Sequence, residues 1–268
     1  MVALLSPIQA RISVDRCLGT KPSARWEMPK VLREVSGLAL SDDGRLWVHN
    51  DESGIVVAID HRTGAVVGSY RLGPLLPRAD FEGIAVAGDR LFMVTSDGVL
   101  YRMTLPARRV KEAVLPFEVI DTKLGAQCEI EGLSYDPTDR VLLLACKTPR
   151  AKALARQTVV FRWSVVKGGL ASPDRLTIPW GELAKGRPGK AFHASSIERD
   201  PTTGNYLLIS SADHGFGLID RAGKVLATGP IGRHHPQPEG LAIAKDGTVF
   251  IGDEGHRGPG TISVYACR

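Results

Sequence analysis

No apolar run in this 268-residue sequence reaches the roughly 20 residues that a membrane-spanning helix needs. The sequence also lacks H-E-x-x-H, C-x-x-C and G-x-S-x-G, which mark zinc proteases, thiol redox sites and the nucleophile elbow of α/β-hydrolases. The segment KGRPGKA has neither the first glycine nor the Ser or Thr of a phosphate-binding loop. We therefore expect no transmembrane segment in this chain and no site of these kinds.

The charge pattern and the aromatic content give no sign of a polyanionic partner. Basic residues outnumber acidic ones, 34 to 29, but they are scattered, and aromatic side chains make up only 6% of the chain. Local groups such as Arg108, Arg109 and Lys111 are more typical of a solvated surface than of a nucleic-acid-binding stripe. The sequence thus predicts an ordinary globular protein with no nucleic-acid partner.

Cysteine is scarce, with Cys17, Cys128, Cys146 and Cys267 as the complete set. An even count permits two disulfides without showing them. The first ten residues, MVALLSPIQA, are too short for a signal peptide and lack its basic region. An exported protein whose signal has been removed would begin in this way, and so would a cytosolic one. Both locations stay open at this point.

The sequence is dominated by five copies of one short pattern. In its clearest copy, QPEGLAIAKDGTVFIGDEG at residues 237–255, an acid and a glycine precede an apolar run, a polar turn and a second apolar run that ends in acids. Repeats spaced by about 40–50 residues indicate an architecture in which no unit buries its hydrophobic face alone. Aligned on the acid before the glycine, one register position recurs at spacings of 46, 49, 64 and 44 residues: Ser36, Glu82, Glu131, Ser195 and Glu239.

Each repeat contains short β-branched and aromatic runs between turn residues, as in GLALS, RLWVHND, GIVVAID and AVVGSYRL. We predict an all-β fold with a single domain over residues 1–268, a β-propeller of five four-stranded blades. The fourth strand of the second repeat is assigned to AVLPFEV. A sixth blade within the longest spacing is the alternative, although KTPRAKALARQ and GELAKGRPGKAF there are more typical of loops with a helical turn.

The last repeat lacks a fourth strand, whereas two candidate strands, IQARISV and ARWEMP, precede the first repeat. Propellers are often closed by one terminus that completes the blade of the other. We therefore expect an N-terminal strand beside Thr261–Ala266, which would bring Cys17 and Cys267 into neighbouring segments.

The other two cysteines belong to one predicted hairpin. A turn at residues 136–139 would pair Tyr135 with Arg140 and place Cys146 within one position of Cys128. Both cysteine pairs are then near enough to bridge, with paired free thiols as the alternative.

The register positions should form a ring, because the first strand of each propeller blade lines the central channel. Residues two positions earlier lie on the same face of an extended strand and form a second layer: Glu34, Asp80, Glu129, His193 and Gln237. The ends of the second strands return to this face and add a third set: Asp51 with His49, Asn50 and Glu52, then Ser96, Asp97, Lys147, Asp213, His214, Asp253 and Glu254. Such polar ends on one face indicate a ligand pocket.

Three carboxylates, those of Glu82, Glu131 and Glu239, would meet at the channel mouth. Carboxylates at one point repel each other, and burial makes each charge costlier, so a bound cation is the usual remedy. Oxygen ligands alone favour Ca²⁺, or Mg²⁺ or Mn²⁺, over zinc. In the alternative interpretation, the glutamates accept backbone N–H groups of neighbouring blades and the glycines only allow close approach of the backbone.

The serial order of these segments resembles the SdiA-regulated family of bacterial β-propeller proteins, through EVSGLALSDDGRLWVHNDESG, DFEGIAV, EIEGLSYDP, SSIERDPTTGNYLLISSADHG and PQPEGLAIAKDGTVFIGDEG. The pattern is also similar to the esterase-like phytase group and to NHL-type propellers. In gluconolactonase-like propellers, metal ligands lie at x-[EDN]-G positions, which match Glu82, Glu131 and Glu239 here, whereas Ser36 and Ser195 depart from an all-acid ring.

The resemblance implies a protein that is exported to the periplasm or the cell exterior, with the cytoplasm as the alternative. Two functions stay open. The first is a propeller, expected to be monomeric, with a central Ca²⁺-type site that binds a small-molecule or cell-surface ligand. The second is a metal-dependent hydrolase of a phosphoester, ester or lactone, in which a ring carboxylate or His193 acts as base.

Overall fold

The computed structural model describes residues 17–107, 110–184 and 191–267. Strands make up 54% of the structure and helices 5%, far from the roughly 20–25% strand of an average domain. The fold is a five-bladed β-propeller, as the repeats predict. Within the described ranges, no helix is both long enough and apolar enough to cross a membrane.

The strands form five antiparallel blades joined mostly by tight turns. Gly44 and Gly247, in equivalent turns of the first and last blades, have φ values of 81° and 86°, a region that glycine enters without strain. Blade 1 contains β2 (Val35–Leu40), β3 (Arg45–Asn50), β4 (Ile55–Asp60) and β5 (Val66–Leu72), and blade 2 contains β6 (Phe81–Ala87), β7 (Arg90–Thr95), β8 (Val99–Thr104) and β10 (Phe117–Asp121).

The other three blades follow in chain order. Blade 3 contains β11 (Cys128–Asp136), β12 (Val141–Pro149), β13 (Gln157–Ser164) and β14 (Gly169–Pro179), and blade 4 contains β15 (Ser196–Arg199), β16 (Tyr206–Ser210), β17 (Gly215–Ile219) and β18 (Val225–Pro230). Blade 5 contains β19 (Pro238–Ile243), β20 (Thr248–Asp253), β21 (Thr261–Ala266) and the N-terminal β1 (Ala24–Glu27).

The first strand of each blade lies at the centre of the ring. Around the ring, β2 contacts β6, β6 contacts β11, β11 contacts β15, β15 contacts β19, and β19 returns to β2. The hydrophobic core is correspondingly divided into five clusters, each between two neighbouring blades; Trp47 and Phe81, for example, belong to the cluster between blades 1 and 2. The blades are therefore held together by side chains that no single repeat buries alone.

The N-terminal closure is confirmed. Strand β1 pairs antiparallel with β21, so that Trp26 lies opposite Ile262. Beside this pair, Cys17 and Cys267 form a disulfide with a Cα–Cα distance of 5.5 Å. The other candidate N-terminal strand, IQARISV, lies outside the described residues.

The assignment of AVLPFEV as one strand is wrong. Strand β9 (Glu112–Leu115) pairs in parallel with β5 and adds a fifth strand to blade 1, whereas β10 completes blade 2. Pro116 separates the two strands, because proline has no N–H to donate to a sheet ladder. A continuous stretch of chain thus bridges the outer edges of two blades.

The long third spacing holds loops and short helices instead of a sixth blade. The chain forms a 3-10 helix at Lys152–Leu154 after β12 and the α-helix α1 (Trp180–Leu183) after β14. Two further 3-10 helices, Lys30–Leu32 and Leu124–Ala126, precede the inner strands of blades 1 and 3.

The Cys128–Cys146 disulfide is present, with a Cα–Cα distance of 5.8 Å, although the predicted register around it is wrong. Tyr135 pairs with Leu142 instead of Arg140. Arg140 belongs to the turn, where its φ of 53° is left-handed, so the turn lies one residue further along than predicted.

Candidate metal and ligand site at the channel mouth

A β-bulge positions the register residue in four of the five blades. In each inner pair of strands the register shifts at the residue before the glycine, so that residue has no partner in the second strand. A bulge of this kind re-aims a side chain away from the regular alternation of the strand. The bulged residues are Ser36, Glu82, Glu131 and Glu239. Ser195, in blade 4, lies directly before β15.

At two of the bulges, the backbone of the neighbouring blade requires the glycine that follows. A Cβ atom on Gly132 would lie 2.9 Å from the backbone nitrogen of Ile197, and one on Gly83 would lie 2.8 Å from that of Leu133. Real Cβ atoms do not approach backbone this closely, so only glycine fits. The glycines therefore serve the close packing that the alternative interpretation assigned to them.

The glutamates have a different environment. Glu131 and Glu239 are 3% and 8% exposed, and Glu82 is half-buried. The Lys147 ammonium donates to Glu131 Oε1 at 2.9 Å. Glu239 Oε2 is buried and has no hydrogen-bond partner among the described residues. The mouth thus places three carboxylates around one lysine and leaves a carboxylate oxygen unsatisfied.

The three carboxyl groups resist ionisation. Burial, reinforced by Glu131 and Asp80, raises the pKa of Glu82 to about 10. Burial and the charge of Glu131 raise the pKa of Glu239 to about 8. Burial also raises the pKa of Glu131, to about 7, against the opposing effect of Lys147. For the lysine itself, burial opposes its charge, but the surrounding glutamates outweigh burial and raise its pKa.

The two register serines connect blades. Ser36 Oγ donates to Glu82 Oε2 at 3.4 Å, from blade 1 to blade 2. Ser195 Oγ donates to the Pro238 carbonyl at 2.7 Å, from blade 4 to blade 5. They hold neighbouring inner strands in place, which explains why these positions depart from an all-acid ring.

A second group of acids surrounds the three glutamates. Burial, followed by the charges of Glu34, Glu52 and Asp80, raises the pKa of Asp51 to about 6. One oxygen of Asp51, Oδ1, is buried without a hydrogen-bond partner among the described residues. The sequence prediction that these acids gather on one face is consistent with this mutual influence. Glu129 likewise acts on Glu131 through its charge.

A pocket of about 570 Å³ adjoins this acidic group. Its lining includes Arg25, Pro236, Glu254, His256 and Thr261. Glu254 accepts a hydrogen bond from the Gln237 amide. Burial raises the pKa of Glu254, and Asp51 and Glu34 add to the shift, so this carboxylate belongs both to the pocket and to the acidic group.

On the fourth blade, His193 and Asp213 form a pair. Asp213 Oδ2 accepts the His193 backbone N–H at 2.9 Å and lies 3.2 Å from Nδ1 of the ring. Ser210 also donates to this oxygen, at 2.8 Å. The imidazole, about one third exposed, is therefore held in one orientation by an anchored carboxylate. His214 is exposed in the adjoining turn.

Asp253 does not belong to the open mouth. It is fully buried and faces His235 Nδ1 at 2.6 Å, while His235 Nε2 lies 2.5 Å from the Tyr265 hydroxyl. The pattern alone could not separate Asp253 from Glu254, because the difference depends on a histidine 18 residues away.

The carboxylates fit a hard cation only in part. Their surplus negative charge and the unpartnered oxygen of Glu239 suit oxygen coordination. Within the described ranges, however, no three or more His, Cys, Asp and Glu side chains are grouped closely enough to hold a metal ion. Lys147 lies among the glutamates and serves as their counter-ion.

In the sequence, Lys147 stood out only as one of several polar residues at the ends of strands, and its role as counter-ion was missed. The signal was available, since Lys147 is the single lysine or arginine among the residues predicted to meet at this mouth. Ser211, whose hydroxyl bonds to Glu239 and lowers its pKa against burial, carried no comparable signal.

A comparison with models of protein families shows the family of this chain. Residues 24–257 match the model of the SdiA-regulated proteins. The chain belongs to the SdiA-regulated family. No curated protein matches this SdiA-regulated protein by sequence.

Solved structures similar to this SdiA-regulated protein share its fold at low identity. The PQQ-bound aldose sugar dehydrogenase of Streptomyces coelicolor is 13% identical, with a TM-score of 0.56 over 90% of this chain and 98% of that one. The glutaminyl cyclase of Myxococcus xanthus is 15% identical, with a TM-score of 0.58 over 91% and 94%. A protein of unknown function from Bacteroides caccae is 18% identical, with a TM-score of 0.43 over 75% of this chain and 62% of that chain's length. At these identities the likeness to the dehydrogenase and the cyclase shows the fold alone.

Proposed function

We propose that this protein is an exported propeller whose channel mouth binds a divalent cation of the Ca²⁺ type together with a small-molecule or cell-surface ligand. The observation that carries the proposal is the excess of negative over positive side chains at the mouth. Three carboxylates, two of them nearly inaccessible, face one ammonium group. Glu82, Glu131 and Glu239 would hold the cation, and Mg²⁺ and Mn²⁺ are the alternatives to Ca²⁺.

Lys147 gives the site two states in this proposal. Without the cation, its ammonium neutralises part of the carboxylate charge through Glu131. To hold the cation, the three carboxylates would have to ionise together and move closer to one another than they lie here, and the lysine would be displaced toward the outer acids. The lysine side chain is one third exposed, so it has room to leave the cluster.

The ligand would occupy the pocket of about 570 Å³ beside the mouth, where Glu254 and Arg25 present charges of both signs. Both disulfides support export, because such bonds persist mainly in oxidising compartments. We expect the periplasm or the cell exterior as the location, and a monomer as the working form.

A metal-dependent hydrolase of a phosphoester, ester or lactone is the second candidate, and the His193–Asp213 pair favours it. A bound cation supplies a Lewis acid for the carbonyl or phosphoryl oxygen of a substrate. His193, oriented by Asp213, would take a proton from the attacking water, whose oxygen forms the new bond. A broad ester, lactone and phosphoester screen of cation-loaded protein tests this candidate. Any hydrolase activity found in this screen should be lost in the His193→Gln variant.

The cation is tested by melting curves and calorimetry of chelator-treated protein. At a Ca²⁺ concentration of 100 times Kd, folded-state binding adds about 2.7 kcal/mol, which corresponds to a rise in Tm of about 5–10 °C for a chain of this size. Glu131→Gln keeps the shape of the side chain but removes a charge, so it should flatten this response. The matched control, Glu112→Gln, changes an exposed strand residue and should respond like the wild type. An unmoved Tm with no Ca²⁺, Mg²⁺ or Mn²⁺ binding would show the proposal to be wrong.

A further inference from the structure

A second pocket, of about 590 Å³, lies far from the channel mouth. It is formed by blades 3 and 4 near the turns at the opposite ends of the strands, between the β11–β12 turn and the β17–β18 turn. Its lining side chains include Asp139, Arg162, Arg175, Thr177 and Arg221. Neither the repeat pattern nor the proposed cation site involves these residues.

The pocket has an excess of positive charge. Three guanidinium groups line it, against the single carboxylate of Asp139. That carboxylate is shared, because its Oδ2 accepts from Arg162 Nη2 at 2.5 Å and lies 2.6 Å from Arg221 Nη2. Arg175 Nη1 lies 3.3 Å from Asp174 Oδ2, which offsets part of its charge, and both side chains are partly exposed.

The carboxylate behind the pocket does not cancel this excess. Asp136 is fully buried and already lies 3.2 Å from Arg199 Nε, 3.1 Å from Arg221 Nε and 2.7 Å from the Tyr206 hydroxyl. Arg199 does not line the pocket, so its charge balances that of Asp136. The lining itself is left with three positive charges and one negative charge.

The guanidinium groups also have donors to spare. Each carries five N–H donors. Arg162 is only 7% exposed, and it uses two donors, to Pro173 O and Asp139, while its Nε is buried without a partner among the described residues. A buried arginine with incomplete pairing is uncommon unless an anion completes it.

We propose that this pocket binds a phosphate group, either inorganic phosphate or a phosphate monoester. With Asp174 beside Arg175, one positive charge is left over, so an anion is favoured. Three guanidinium groups around one pocket suit the three terminal oxygens of a phosphate better than the two oxygens of a carboxylate. Planar guanidinium groups bind phosphate oxygens through paired N–H donors. Arg175 and Arg221 would supply these donors at the open side, and Arg162 would add its charge from the buried side.

The test is calorimetry of the full chain in chloride buffer of low ionic strength, with a chelator present so that the mouth cation plays no part. Inorganic phosphate, glycerol phosphate and acetate are titrated in turn. Binding of both phosphates shows that the group alone is recognised, and binding of glycerol phosphate alone shows that the attached organic part is needed; either result supports the proposal. Acetate that binds as tightly as phosphate, or no binding of either phosphate, would overturn it.

Variants distinguish this pocket from general surface attraction. Arg175→Gln should weaken phosphate binding at least about tenfold, because one of the two open-side donors is lost. Asp139→Asn should tighten binding several-fold, because it removes the competing carboxylate from two arginines. Lys224→Gln, on the same β17–β18 turn but outside the lining, should leave the affinity unchanged. Equal weakening by Arg175→Gln and Lys224→Gln would contradict a built site, even if Asp139→Asn fails to fold.

Discussion

Lys147 Nζ lies 2.9 Å from Glu131 Oε1 at the end of β12, where the inner strands of several blades bring their glutamates together. In the proposed cation site, this contact supplies the counter-charge of the glutamates when no cation is bound. It also allows the proposed site to be tested by removing the ammonium instead of a carboxylate.

Lys147→Met should lower the Tm of chelated protein and increase the stabilisation that Ca²⁺ provides. Removal of one member of a buried ion pair costs about 3–5 kcal/mol when the other charge stays uncompensated. Here the cost should be smaller, since the lysine is one third exposed and the glutamates can take up protons. Differential scanning calorimetry with and without Ca²⁺ measures both effects.

Lys152→Met is the matched control, because this lysine is exposed in the following 3-10 helix. It should leave both melting curves unchanged. Weaker Ca²⁺ binding in Lys147→Met than in the wild type would mean that the lysine is part of the binding site and does not compete with the cation.

Glu198, on the inner strand β15, should make stability depend on pH. Burial raises its pKa from 4.5 to about 8, against a hydrogen bond from Ser134 and the charge of Arg199. Between these two pKa values the folded state binds more protons than the unfolded state, so stability falls as pH rises from about 4.5 to 8. Since the side chain is only partly buried, we expect a loss of a few degrees in Tm.

In the Glu198→Gln variant, this contribution to the fall of Tm with rising pH should be lost. The variant should therefore melt above the wild type at pH 9. Tm values measured at pH 5, 7 and 9 in chelator test the prediction. Parallel wild-type and variant curves across that range would show that Glu198 does not titrate as described.

The two disulfides should differ in their contribution to stability. Their cysteines are 250 and 18 residues apart in sequence. From loop closure alone, the longer bond restricts the unfolded chain by about 5 kcal/mol and the shorter one by about 3 kcal/mol. The double variant Cys17→Ser with Cys267→Ser should therefore melt below the double variant Cys128→Ser with Cys146→Ser. Non-reduced mass spectrometry of the wild type gives the bonding state, and four free thiols would remove the basis of this prediction.

Gly132→Ala should destabilise the ring by about 1–3 kcal/mol, as overpacking does, because the added methyl meets the backbone of Ser196 and Ile197 on blade 4. Gly181→Ala is the control. Nothing lies within 4 Å of a Cβ at that position, and alanine favours its helix. Urea denaturation curves compare the two variants. Equal midpoints would show that the inner strands accommodate the methyl group without a loss in the free energy of unfolding.

The blades could be predicted from the sequence because each repeat carries its own strand and turn signals. The pairing of an N-terminal strand with Thr261–Ala266 followed from counting strands at the two ends, whereas its register did not. The sequence could not predict that β9 joins blade 1. Tertiary packing decides that Glu112–Leu115 pairs in parallel with β5. The turn at Arg140 was missed for a similar reason, because a non-glycine residue with φ of 53° leaves no mark in the sequence.

The sequence predicted which residues lie at the ring of register positions, but not which hydrogen bonds and ion pairs they form. The register acids were found because they recur before a glycine. The bulges that free Glu82 and Glu239 from strand pairing depend on the partner strand, so simple alternation did not anticipate them. The burial of Asp253 against His235 likewise depends on a contact between separate segments.

The pairing of β1 with β21 sets the order of events when the chain is made. Ala24–Glu27 are synthesised long before Thr261–Ala266, so the ring cannot close until β21 has been made. Until then, blade 5 lacks its outer strand and β1 has no partner. Pairing of these two distant strands is thus the event that turns a row of blades into a ring, and the Cys17–Cys267 disulfide then fixes the closed form covalently.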